Sequence, residues 1–130
     1  MQKFLSDEWF IDVEKTLKEF TNLDIAKAMK DVIVNLTLQT GSGDVQMRID
    51  RGIIVKGHSA GADVQMSMPE DYAYKLLVLG DWSVGMKGYV ARKISVSGNM
   101  RKLIPLQVFK PTKSQDELRE KIKSFTEYAS

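Results

Sequence analysis

Three stretches between residues 31 and 68 alternate apolar and polar side chains with a period of two. The apolar positions are Val32, Val34, Leu36 and Leu38, then Val45, Met47 and Ile49, then Val64, Met66 and Met68. Because neighbouring side chains of a strand point to opposite faces, this pattern predicts strands with one buried face, which is typical of antiparallel sheets. Glycine-containing turns at 41–43, 50–52 and 57–61 also mark off a strand at 53–56. We therefore predict a four-strand meander over residues 31–68.

Helical segments flank this meander on both sides. Ser6 is placed to cap a first helix, and Trp9 belongs to its apolar stripe and is expected in the core. The meander is followed by a helical excursion and then by a fifth strand at 93–97. A capping box at 114–117 opens a last helix at about 115–128. The predicted fold class is α+β, with a five-stranded, mainly antiparallel sheet covered by helices on one face.

The stretch from residue 69 to residue 110 holds more apolar side chains than helices that cover a sheet require. One helix face needs only about half of its positions to be apolar, and here the apolar residues spread around more than one face. The surplus must meet another helix, a partner chain or an apolar ligand, and we expect a ligand. Met66, Met68, Met86 and Met100 would suit an adaptable wall, although we expect Met66 and Met68 to belong to the ordinary core.

Composition restricts the class of protein. A chain of 130 residues with 43% hydrophobic and 28% charged residues is predicted to form one globular domain over residues 1–130. It has no apolar run of about 18 residues and no apolar secretory segment at its start, so we expect a cytoplasmic location. The absence of cysteine excludes disulfides and thiol chemistry. The net charge of +2 is too small to favour nucleic acid as a partner.

Positive charge is concentrated towards the end of the chain. Residues 101–123 carry seven Lys or Arg against three Asp or Glu. Such a segment fits transient contact with an anionic membrane surface or with a phosphate-bearing ligand. A solvated helix face accounts for the same pattern and is the interpretation that we prefer.

No set of catalytic or metal-ligating residues is recognisable. His58 is the only histidine and lies in a glycine-rich turn, without the cysteines or second histidine that a metal site would need. The segment Gly41-Ser42-Gly43 lacks the Lys and Ser/Thr ending of a phosphate-binding loop. Asp50 and Asp63 fall at a turn and in a strand, and a site of paired carboxylates stays open. We predict no catalytic residue, no metal and no cofactor.

Four motifs, in order along the chain, resemble the sterol carrier protein type 2 family of small lipid-binding domains. They are the hairpin at 49–57, the strand and acidic helix start at 62–71, the approach to the last strand at 86–94, and Ile94-Ser95-Val96-Ser97-Gly98-Asn99-Met100 followed by Leu103 and Leu106-Gln107. The resemblance covers about residues 5–110. It leaves the helix at 115–128 as an addition that could plug or extend the mouth of a cavity.

The resemblance implies an apolar tunnel between the sheet and the excursion helices. The residues that would line or close it are Leu76, Leu77, Trp82, Met86, Met100, Leu103, Leu106 and Phe109, with Gln107 as a polar group near its end. Pro105 departs from the pattern, because proline lacks an N–H and its ring collides with the carbonyl of residue 101. The helix that begins near Met100 should therefore kink or stop at Pro105.

The resemblance also implies a function, namely non-enzymatic binding or transfer of a long apolar ligand. Fatty acids, fatty acyl-CoAs, sterols and phospholipids all qualify. The alternative is a protein-interaction or dimerisation module associated with an enzyme of lipid metabolism, in which the surplus apolar surface forms an interface, for example in a homodimer. An enzyme acting on an acyl chain has the least support, because no pairing of nucleophile and base is recognisable.

Overall fold

The structure is a computed structural model that describes residues 1–107 and 110–128. In chain order its elements are β1 (Gln2–Lys3), α1 (Asp7–Lys18), a 3-10 helix (Lys27–Met29), β2 (Ile33–Thr40), β3 (Gly43–Asp50), β4 (Ile53–Lys56), β5 (Val64–Pro69), α2 (Glu70–Leu77), α3 (Ser83–Val90), β6 (Ser95–Gly98), α4 (Met100–Leu103), a 3-10 helix (Ile104–Gln107), α5 (Lys113–Phe125) and β7 (Thr126–Glu127).

Strands β2 to β6 form one sheet in the spatial order β4-β3-β2-β5-β6. The predicted α+β class with a five-stranded, mainly antiparallel sheet is confirmed. One connection differs from the prediction, because only β2, β3 and β4 form a meander. The fourth strand of the predicted meander, β5, returns to the other side of β2 and pairs with it in parallel, with Leu36 opposite Met66. The last strand, β6, pairs antiparallel with β5.

The chain between β4 and β5 runs back across the sheet, and polar side chains of β2 hold it there. The Asn35 side chain is 3% exposed, donates to the carbonyl oxygen of Ser59 and accepts from the Ser59 N–H, both at 2.9 Å. His58 Nε2 donates to the carbonyl oxygen of Leu36 at 2.9 Å. The glycine-rich segment that looked like a hairpin turn is therefore a crossover, and His58 supports it.

Helix α1 begins where its cap predicts. The Ser6 hydroxyl accepts from the backbone N–H of Trp9 at 3.2 Å. Trp9 is fully buried, as expected, with its ring edge-to-face against Phe4 and Phe10. Its indole N–H donates to the Thr126 hydroxyl at 2.8 Å, which ties α1 to the end of the chain's last helix.

The last helix occupies residues slightly earlier in the chain than its predicted range of 115–128. Thr112, not Ser114, is its N-cap, and the capping box is closed by Gln115, whose side chain accepts from the Thr112 N–H at 3.0 Å. Ser114 instead accepts from the backbone N–H of Asp24 at 2.9 Å. The helix ends at Phe125 because the next two residues form β7, which pairs in parallel with β1.

One face of the sheet carries the core. The cluster of buried side chains reaches from Phe4, ahead of α1, through the inner face of the sheet to Leu118 and Ile122 on α5. The alternating pattern therefore predicted the buried face correctly, with Leu38 and Met47 both fully buried. Within the described ranges, no helix combines the length and the apolar content needed to cross a membrane.

Candidate functional site

An apolar cavity of about 380 Å³ lies between the inner face of the sheet and the helices. Its sheet side is formed by Val34, Leu36, Ile49, Ile54, Met66, Met68 and Val96. Its helical side is formed by Val13, Leu17, Leu76, Leu77, Gly85, Met86, Tyr89, Leu103, Leu118 and Ile122. Pockets of this size and character are typical of small-molecule sites. We call this feature the apolar pocket.

The structure brings together most of the side chains that the sequence assigned to a tunnel. Leu76, Leu77, Trp82, Met86, Met100, Leu103 and Leu106 all lie on the wall of the apolar pocket. The predictions for Phe109 and for the side chain of Gln107 fall outside the described residues. Whether any of these residues contacts a ligand stays a prediction.

These seven side chains lie at different depths in the wall of the apolar pocket. Leu76 and Leu103 are each 8% exposed and belong to the core, so they form the inner part of the wall. Trp82, Met86 and Met100 expose 43–53% of their surface, so they stand where the pocket meets solvent. Trp82 occupies the N-cap position of α3 at this opening.

No residue of the sheet, of α1 or of α5 was assigned to the wall of the pocket from the sequence. Met66 and Met68 were expected to be ordinary core, but both also face the apolar pocket. The α5 residues Leu118 and Ile122 close the pocket from the side of α1. The apolar stripe of α5 was visible in the sequence, whereas its position over the sheet was not. The added helix therefore forms part of the pocket wall.

Three polar side chains of α5 also line the pocket, namely Gln115, Asp116 and Arg119. The Arg119 guanidinium lies over Gly80, donates to the carbonyl oxygen of Val78 at 3.3 Å, and pairs with Glu120 at 3.2 Å. The Gln115 side-chain oxygen accepts hydrogen bonds from the Thr112 N–H, which caps the helix, and from the Ala26 N–H at 3.0 Å. Arg119 therefore brings a positive charge to a mainly apolar wall, where Asp116 lies 3.8 Å from it, and the Arg119 side chain stays 22% exposed.

Solved structures with the same architecture were found by comparison. Sterol carrier protein 2 from Yarrowia lipolytica, in its apo form, superposes with a TM-score of 0.57 at 16% identity, over 92% of this chain and 96% of that chain. The chain has the sterol carrier protein 2 fold. The sterol carrier protein domain 2 of Helicoverpa armigera gives a TM-score of 0.51 at 12% identity, over 97% of this chain and 94% of that one.

A third solved structure with the sterol carrier protein 2 fold contains a ligand. Sterol carrier protein 2 from Aedes aegypti, in complex with the C16 fatty acid palmitate, gives a TM-score of 0.52 at 16% identity, over 82% of this chain and 94% of that one. No protein-family model and no curated protein matches the sequence.

In this version of the sterol carrier protein 2 fold, Gly98 and Asn99 place α4 on the pocket wall. Gly98 has a φ of +112°, and a Cβ there would lie 2.5 Å from the backbone oxygen of Asp63, so only glycine fits. The Asn99 side chain then caps α4 by accepting from the Arg101 N–H at 3.1 Å. The helix ends at Leu103 and continues as a 3-10 turn that contains Pro105, as the proline predicted. The motif therefore aims Met100 and Leu103 into the pocket.

Asp63 fastens α4 to the sheet. Its carboxylate accepts from the backbone N–H of Ile33 at 2.9 Å and pairs with Lys102 at 3.3 Å, while Lys102 also donates to the carbonyl oxygen of Asp31 at 2.9 Å. The hydrogen bond from Ile33, with help from Lys102, holds the pKa of Asp63 below its usual value of 3.8. Asp63 is therefore ionised at neutral pH and acts as a positioning group for the pocket wall.

The other residues considered for chemistry have structural partners. Asp50 pairs with Arg48 at 3.0 Å and with Arg51 at 3.1 Å. His58 holds the crossover between β4 and β5. Across residues 1–107 and 110–128, no cluster of three or more His, Asp or Glu is arranged to hold a metal ion.

Proposed function

We propose that this protein binds one long-chain apolar ligand in the apolar pocket and carries it without a chemical step. The observation that carries the proposal is the pocket of about 380 Å³, whose wall is built mainly from Leu, Ile, Val and Met side chains. Fatty acids, fatty acyl-CoAs, sterols and phospholipids remain the candidate ligands. Five of the wall residues are methionines, whose flexible thioethers adapt to chains of different shape.

Palmitate is the ligand that we propose to test first. The Aedes aegypti protein that shares this fold was solved with palmitate bound. Burial of apolar surface supplies about 25 cal/mol per Å² before the cost of ordering the ligand. A fatty acid chain would therefore bind here through contact area alone, without a catalytic group.

Arg119 supports a preference for ligands with an anionic head group. Its guanidinium is on the pocket wall and remains partly accessible. A carboxylate or phosphate at the pocket entrance could replace one of its weaker partners, such as Asp116 at 3.8 Å. Charge-assisted hydrogen bonds of this kind are about twice as strong as neutral ones.

The alternative of an interaction or dimerisation module accounts for fewer observations. An interface requires an apolar outer surface, which helix α3 does provide. It does not require a pocket that extends inward from Trp82 and Met86 to Leu36 and Val34 on the sheet. Ligand binding accounts for both features, so we prefer it.

The proposal predicts how affinity depends on chain length. Each methylene that enters an apolar site contributes about 0.8 kcal/mol, a factor of about four in affinity. Shortening palmitate by two methylenes at a time should therefore weaken binding by up to about 15-fold at each step. The measurement is displacement of a fluorescent fatty acid from delipidated protein by a series of saturated fatty acids. Equal affinity along the whole series would contradict burial of the chain.

A further inference from the structure

Helix α3 carries its bulky apolar side chains on its outer side. Its inward positions include the glycines Gly85 and Gly88, beside Val84. A Cβ on Gly88 would lie 2.6 Å from Ile94 Cδ1, and a Cβ on Gly85 would lie 3.6 Å from Leu76 Cδ2. Tyr89 is 55% exposed and Val90 is 73% exposed. Val84 packs against the core, whereas Met86, Tyr89 and Val90 are mostly exposed, and their exposure needs another explanation.

These side chains belong to a larger apolar surface around the opening of the pocket. Trp82, Met86, Tyr89 and Met100 all line the apolar pocket and are all exposed. Val90 continues this surface along α3, and Ile104, which is 59% exposed, continues it beyond α4. We call these six residues the mouth patch. Exposed apolar surface of this kind, rimmed by charge, marks an interaction site.

The chain segment that carries the mouth patch is basic, although the exposed acids Asp81 and Asp116 flank it on either side. Between Trp82 and Gln115 the sequence holds seven Lys or Arg and no Asp or Glu. The rest of the chain carries twelve Lys or Arg against all seventeen Asp and Glu. The protein is therefore divided into a segment of net charge +7, which contains the mouth patch, and a remainder of net charge −5.

Most of this positive charge is available. Lys87, Arg92, Lys93 and Arg101 are exposed, and none of them has an ion-pair partner among the residues that the structure describes. Further along the chain, Arg119 and Lys121 differ, because they pair with Glu120 at 3.2 Å and with Glu19 at 2.7 Å. The exposed basic side chains near the mouth patch therefore begin at Lys87, ahead of the basic stretch predicted at 101–123.

We propose that the mouth patch docks on an anionic phospholipid bilayer. The apolar side chains would enter the interface while the surrounding Lys and Arg contact the head groups. Docking in this orientation turns the opening of the apolar pocket towards the membrane, so that a lipid could pass between the two without crossing water. The docking proposal goes beyond ligand binding. It rests on different observations, namely the exposure of the mouth patch and the positive charge of the chain segment that carries it.

The test is co-sedimentation with vesicles of phosphatidylcholine alone or of phosphatidylcholine with phosphatidylglycerol. We expect binding only to the anionic vesicles, and loss of binding when salt rises from about 0.1 M to about 1 M, since the screening length falls from about 10 Å to about 3 Å. The emission of Trp82 should shift to shorter wavelength on binding. Trp9 is fully buried and should not respond, and the Trp82→Phe variant assigns the signal.

Two pairs of variants separate docking from other effects. Lys87→Gln with Lys93→Gln should weaken vesicle binding about 25-fold, because each basic side chain at an anionic surface contributes a factor of about five. The control, Lys15→Gln with Lys18→Gln, removes the same charge from α1 and should retain binding. Val90→Ser with Ile104→Ser, which changes no pocket residue, should weaken vesicle binding about tenfold or more and leave palmitate affinity unchanged.

Three outcomes would overturn the proposal. They are equal binding to neutral vesicles, equal loss in the α1 control, and no binding to vesicles of either kind. If the mass in solution also doubles with concentration, and Val90→Ser with Ile104→Ser prevents the doubling, the mouth patch is a dimer interface instead. Because palmitate affinity is measured on the same variants, failure of docking is distinguishable from failure of ligand binding.

Discussion

We expect the Met66→Glu variant to bind palmitate at least about 100-fold more weakly than the wild type. Met66 lies on β5 with Leu36 of β2 and Val96 of β6 beside it in register, and all three side chains line the apolar pocket. A carboxylate at this position would have to lose water against an acyl chain, which costs about 3 kcal/mol or more without a partner. Displacement titration with a fluorescent fatty acid measures the loss.

Gln65→Glu is the matched control for this prediction. Gln65 precedes Met66 on the same strand but is exposed on the opposite face of the sheet. The Gln65→Glu variant introduces the same charge one residue away. It should leave palmitate affinity within about twofold of the wild type, since exposed surface charges contribute little. Circular dichroism establishes that both variants are folded. Equal affinity of the folded Met66→Glu variant would remove the inner face of β5 from the ligand site.

The second large effect is expected at Gly98, where alanine should lower the free energy of unfolding by about 3 kcal/mol. Part of this cost comes from the φ of +112°, which an L side chain rarely adopts. The rest comes from the new Cβ, which would lie 2.5 Å from the Asp63 backbone oxygen and 3.0 Å from the Val64 Cα. Both are main-chain atoms of the sheet, so neither can move away cheaply. Urea unfolding measures the change.

Gly41→Ala provides the comparison, because a Cβ on Gly41 would meet nothing within 4 Å. This variant should be neutral or slightly stabilising, since alanine reduces the entropy of the unfolded chain. If both glycine variants lost the same stability, the close approach of Gly98 to β5 would not be the cause. Gly98→Ala should also weaken palmitate binding, because Gly98 leads directly into α4 and its pocket residues Met100 and Leu103.

Local signals in the sequence were reliable where a single interaction determines the structure. The cap at Ser6, the stop before Pro105 and the alternating strands all appear as predicted. The cap of α5 was displaced by two residues, because Thr112 and Gln115 form the same kind of box as Ser114 and Glu117. The local sequence does not distinguish the two boxes, and both Thr112 and Ser114 also bond to the backbone of Asp24.

The spatial order of the strands in the sheet could not be predicted from the alternation of apolar and polar residues. Alternation shows which face of a strand is buried but not which strand lies beside it. The segment from Gly57 to Asp63 has the composition of a hairpin turn, yet it crosses the sheet and lets β5 pair in parallel with β2. The hydrogen bonds of Asn35 and His58 that hold it join residues more than twenty positions apart.

The candidate site also has parts that the sequence predicted and parts that it did not. The family resemblance located the excursion helices and α4, so Leu76, Met86 and Leu103 were placed on a common wall in advance. The contribution of α5 to the wall was not predicted. Its two apolar wall residues, Leu118 and Ile122, belong to the kind of apolar stripe that any helix of a globular protein buries. Likewise, the mouth patch depends on Gly85 and Gly88 facing inward, which the sequence of α3 alone does not reveal.

The most direct test of the account is a titration of delipidated protein with palmitate, observed through its methionine methyl groups by NMR. The chain has seven methionines, and five of them, Met29, Met66, Met68, Met86 and Met100, line the apolar pocket. Met47 is fully buried away from the pocket and Met1 is 75% exposed, so these two are internal controls. We predict saturable shifts at the five pocket methyls with one palmitate per chain, and no shift at the two controls. Unchanged pocket methyls, or shifts that grow without saturation or appear only at Met1, would contradict ligand binding in the pocket.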